Sequence, residues 1–204
     1  MHNTIRSWLF FRLLLQPGAV FEELSDTRPS FPAVFFRYVI WLAALPPLFL
    51  YLGASRGGWH LGAAEPLFLE PNARLAFSLA YFVVLLLGMA LTGFLSYRMA
   101  DTYGAPKSRG IHLAMTVIVA APIVVCSAIH LYPHIFVNLL VLVPALMWSM
   151  YFLYRGLPVV LQVGPERGML MASSLIGWLM VAAVSLLGLT VALWSNGIGP
   201  SIWV

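Results

Sequence analysis

His130, Tyr132 and His134 form the polar cluster with the clearest chemical content in this chain of 204 residues. A four-residue separation puts two imidazoles on one face of a helix, the arrangement that metal and haem sites use. Pro133 lies between them and breaks such a helix. The pair therefore reads first as interfacial histidines at a turn, with ligation by His130 and His134 as the second reading. His112 precedes His130 by 18 residues, about 27 Å along a helix. That places it at the opposite membrane face, and one cofactor cannot use both ends. His60 stands alone in a loop and reads as solvent-facing. Ser173 and Ser174 are the candidate nucleophiles, but they follow no strand, lie in no strained glycine turn and have no Asp or Glu nearby to orient a histidine. No catalytic group, metal or cofactor is expected.

A second group lies at the end of the fourth apolar run, where Tyr151, Tyr154, Arg155, Gly156 and Pro158 follow a stretch, 136–152, with no formally charged residue. Such a run crosses most of a hydrocarbon core roughly 30 Å thick. The two tyrosines suit the headgroup level, and Arg155 suits a phosphate-rich aqueous edge. Gly156 and Pro158 are expected to end the helix. Residues 157–163 then read as a short apolar connector that lies on the membrane or re-enters the bundle. The alternative is a site for a lipid headgroup or a partner, built with Tyr154 and Arg155. In the fifth run Ser173 and Gly177 make a small-xxx-small pair, with Ala172, Ala182, Ala183 and Gly188 extending it. This pattern serves close helix packing, within the chain or against another chain.

The elements that must carry these residues are membrane spans. Hydrophobic residues make up 61% of the chain and charged ones 9%, against about a quarter charged in soluble domains, and the mean hydropathy is +0.91. The expected fold is all-α, a polytopic bundle of five transmembrane helices at about 33–52, 75–97, 111–131, 135–155 and 169–194. Residues 1–32 form an interfacial amino-terminal segment, and 195–204 a short outer tail. In that segment the apolar core from Trp8 to Leu15, with Arg12 inside it, is too short to span and reads as a helix lying on the membrane surface. Pro46, Pro47, Pro122 and Pro144 fall within spans and are candidate kinks.

The net charge of +4 comes from 11 cations scattered over loops, which form no basic stripe and exclude nucleic acid as a partner. Arg6, Arg12, Arg28, Arg37, Arg98, Lys107, Arg109, Arg155 and Arg167 fall on the side of the amino terminus, and only Arg56 and Arg74 opposite, nine against two. That bias puts the amino terminus in the cytoplasm and the carboxyl terminus outside. Cys126 is the only cysteine, so neither an intrachain disulfide nor a cysteine metal cluster can form. The spans hold no Asp, Glu or Lys, and Arg only at a boundary, which lowers the case for ion-coupled transport.

The run Tyr151, Phe152, Leu153, Tyr154, Arg155, Gly156, Leu157, Pro158, followed by Glu166, Gly168, Ser173 and Ser174, resembles the core of the bacterial branch of the Yip family. Gly58, Trp59 and Gly62, then Ala121 and Pro122, then Leu131, Tyr132 and Pro133 extend the likeness over about 51–194. The resemblance implies five spans with a cytoplasmic amino terminus, as the cation distribution does independently. Eukaryotic relatives act in vesicle traffic through small GTPases. The acidic, tyrosine-containing signature that opens their membrane domain has no match here, so that role is not carried over. The expected function is a non-enzymatic membrane scaffold or assembly subunit, partnered by membrane lipids and by other membrane proteins or a homo-oligomer, in the inner membrane if bacterial. The alternative is a small-molecule or lipid carrier with a cavity between the proline-interrupted spans.

Overall fold

The computed structural model describes residues 12–196 apart from 14, 61, 63, 64 and 107. Most of the expected surface helix from Trp8 to Leu15, and most of the outer tail, lie outside the described residues. Six helices follow: α1 (Pro17–Asp26), α2 (Phe31–Gly57), α3 (Pro71–Tyr103), α4 (Arg109–Leu131), α5 (Ile135–Val160) and α6 (Pro165–Ser195). The last five are each long and apolar enough to cross a membrane, so the chain is an all-α, multi-pass membrane protein.

The helices overrun the hydropathy limits because hydropathy marks the lipid-facing stretch, whereas backbone hydrogen bonding continues until something stops it. α3 has Pro71 in its first turn and stops at Gly104, whose φ of 72° lets Ala105 N–H reach back to the Ala100 carbonyl at 2.8 Å. At about 50 Å it exceeds the hydrocarbon thickness. α2 starts under a Ser30 cap, widens to a π-helical turn over Phe35–Val39, and ends at Gly58 with a φ of 65°. It runs unbroken through Pro46 and Pro47, as α4 does through Pro122 and α5 through Pro144. The last five residues of α4, Ser127–Leu131, tighten into a 3-10 turn.

The expected helix stop at Gly156 and Pro158 is not there. α5 continues through both to Val160, and the chain turns at Gln162, which has a φ of 50°. A proline at this position removes one backbone bond and costs about 3 kcal/mol. Leu157, Val160 and Leu161 are fully buried, each worth about 1.5–3 kcal/mol against exposure to water, so their burial outweighs the proline. The segment 157–163 is thus the end of α5 and its turn, not a re-entrant piece.

α4 is the centre of the bundle. Of its most apolar 18 residues 61% are buried, against 6% for α6. The interhelical approaches are set by glycines whose missing Cβ leaves room for a neighbouring backbone or side chain: Gly53 on His130 and Leu131, Gly93 on Leu113, Gly110 on Pro29 and Ser30, Gly156 on Phe21 and Met115. The sequence reading assigned no helix to α1. Its Val20, Phe21 and Leu24 are buried in the core, with Phe21 edge-on to Phe152 at 5.7 Å. Glu23 of α1 pairs with Arg12 at 2.8 Å.

Candidate functional site

The helix ends gather the polar chemistry into two groups. At the end carrying the α4–α5 turn, Asn138 is the hub. Its Nδ2 donates to the carbonyls of Tyr132 and His134, both at 2.9 Å. Its Oδ1 therefore faces His130 and accepts from Nδ1–H, leaving the His130 lone pair on Nε2. Tyr81 of α3 lies edge-on to that imidazole at 6.4 Å. His130 is thereby fixed as part of the turn.

His134 belongs to a different set. The loop after α2 folds back through a two-bond bridge between Trp59 and Leu67. It then crosses the α4–α5 turn: His60 N–H donates to the Pro133 carbonyl at 2.9 Å, and Ile135 N–H to the His60 carbonyl at 3.1 Å. This parallel bridge puts His60 opposite His134, with ring centres 6.1 Å apart and planes within 14°. Tyr132 lies parallel to His134 at 6.0 Å, and Phe136 sits tilted beside it. Among the described residues Nδ1 of His134 is buried with no hydrogen-bond partner. His60 is therefore no lone loop residue, a correction to the sequence reading. No local signal could have paired residues 74 positions apart.

At the opposite end the sequence reading also missed a buried contact. His112 is fully buried. Its Nε2 meets the Pro106 carbonyl at 3.0 Å and its Nδ1 meets Ser96 Oγ at 2.7 Å. A carbonyl only accepts, so Nε2 carries the proton and Nδ1 accepts from the serine hydroxyl. Tyr97 stands edge-on to the ring at 6.0 Å, with the Arg109 guanidinium over the tyrosine at 5.4 Å. Neither Ser96 nor His112 is accessible to a substrate.

The residues singled out around the fourth and fifth runs divide by use. Tyr154 Oη bonds Ser173 Oγ at 3.0 Å, and Tyr103 Oη bonds Ser174 Oγ at 2.9 Å, so two adjacent serines tie α6 to α5 and α3. Gly156 is taken up by Phe21 and Met115, and Pro158 lies against Gly168. Tyr151 and Arg155 are exposed. Gly177 and Gly188 face open space, so they pack no helix of this chain among the described residues. Beyond Ile176 the side chains of α6 are almost all exposed. A depression at the α5–α6 connection is lined by Gly164, Pro165, Glu166 and Arg167. Among the described residues no group of three or more His, Cys, Asp or Glu is placed to hold a metal ion.

A family profile for the Yip1 domain matches residues 11–196. Inner membrane protein YohC of Escherichia coli strain K12 is 30% identical over 185 residues, covering 91% of this chain and 95% of that protein. YohC of Escherichia coli O6:H1 strain CFT073 aligns with the same identity and coverage. No solved structure matches.

Proposed function

This chain belongs to the Yip1 domain family, and from that premise we propose that it is a non-enzymatic scaffold or assembly subunit of the inner membrane, associating with other membrane proteins or with itself. Its amino terminus lies in the cytoplasm. The observation that carries this reading is the division of α6. Met171, Ala172 and Leu175 are buried, and the two tyrosine–serine bonds hold the same turn. From Gly177 onward the helix is almost wholly exposed among the described residues. Small residues on a helix face that none of the described residues covers permit the close backbone approach on which association in lipid depends. The apolar runs 75–97, 111–131, 135–155 and 169–194 hold no Asp, Glu or Lys, which favours a non-transporting role, and the similarity to YohC, named as an inner membrane protein, supports the inner-membrane location.

Native mass spectrometry of the gently solubilised chain tests it. A defined homo-oligomer or a stoichiometric membrane-protein partner is expected, and Gly177→Leu should abolish the association without unfolding the monomer. A chain that stays monomeric, and that crosslinks to nothing in native membranes, would overturn the scaffold reading.

A further inference from the structure

We propose that His60 and His134 form a two-histidine site for a borderline divalent transition-metal ion of the zinc type, at the end of the bundle that carries the α4–α5 turn. The sequence singles out His130 and His134 by spacing, but the fold commits His130 Nδ1 to Asn138 and brings His60 to His134 instead. Three observations carry the assignment. The two backbone bonds on either side of His60 fix its register opposite His134, so the imidazoles are held together by the fold and not by chance side-chain placement. Their ring centres are 6.1 Å apart. A metal bound at about 2.0–2.1 Å to each nitrogen lies roughly 3.2 Å from each ring centre, so two ligating imidazoles have centres about 5–6.5 Å apart, depending on the angle at the metal. Finally, among the described residues His134 Nδ1 is buried with no hydrogen-bond partner, a costly state and one that coordination relieves.

Tyr132 lies parallel to His134, with ring centres 6.0 Å apart. Turning the nitrogens toward a common ion calls for rotation of the rings about χ2, a broad torsion for histidine. Imidazole ligands suit zinc, copper and nickel and do not suit magnesium or calcium. No third His, Cys, Asp or Glu joins the pair among the described residues, so water fills the remaining positions and the ion stays open to an added ligand.

The test is Zn²⁺ titration, followed by calorimetry, of the tag-free full chain in detergent micelles. One ion per chain is expected, weakened by about tenfold or more in both His60→Asn and His134→Asn, at least the loss seen when only an outer-shell partner is removed. No binding by the unaltered chain, or binding by both variants as tight as that of the unaltered chain, would overturn the site. Should either variant lose its helical circular dichroism, the unaltered protein decides. Zn²⁺ should protect His60 and His134 from carbethoxylation by diethyl pyrocarbonate, read by peptide mass spectrometry, and equal modification with and without Zn²⁺ would rule the site out.

Discussion

Asn138 shows what one amide does at a turn in lipid surroundings. It satisfies two carbonyls of the α4–α5 turn and orients His130. Three bonds at about 1 kcal/mol each make Asn138→Leu cost on the order of 3 kcal/mol, although leucine is the more apolar residue for a membrane span. Thermal unfolding in detergent, followed by intrinsic fluorescence, should show a clearly lowered apparent Tm. An unchanged Tm would mean that the three bonds contribute nothing. The sequence gives no warning of this role, because Asn138 stands in an apolar run as a lone polar residue. His112 has the same history. Its position near a helix start is readable, but its pairing with Ser96 depends on how α3 and α4 are rotated against each other.

Between helices, glycine positions divide sharply, and their substitutions separate packing from mere helix composition. At Gly110 an added Cβ would overlap the Pro29 carbonyl, whereas at Gly88 it would meet nothing within 4 Å. Gly110→Ala should therefore force apart α4 and the start of α2 and sharply reduce the yield of folded protein. Gly88→Ala should be neutral or stabilise by up to about 1 kcal/mol, through lower backbone entropy in the unfolded chain. Size-exclusion recovery and apparent Tm measure both, and equal behaviour would contradict the packing. The existence of each span was legible from hydropathy, and Pro46, Pro47, Pro122 and Pro144 lie inside helices that continue through them. Local propensity foresaw a stop at Pro158 that buried Leu157, Val160 and Leu161 override. α1 escaped notice because its buried face is only Val20, Phe21 and Leu24 in an acidic stretch.

Over the whole molecule, alternation of five spans collects Arg28, Arg98, Arg109, Arg155 and Arg167 at one end and Arg56 and Arg74 at the other. On the cytoplasmic assignment of the arginine-rich end, a single cysteine introduced at Ser108 in a Cys126→Ser background should resist a membrane-impermeant maleimide in intact cells. One at Ser55 should react, and the reverse pattern would invert the topology. The sequence by itself determined that the chain is all-α with five spans, because these follow from local apolar length matched to bilayer thickness. Only the tertiary structure decided that α4 is central, that α1 docks beneath the bundle, that α6 leaves it after Ile176, and that His134 faces His60 and not His130. The physical reason is that lipid is as apolar as the helix faces it meets. Hydropathy therefore cannot say which face packs, and register and rotation are settled by glycine contacts and buried hydrogen bonds between residues distant in the chain.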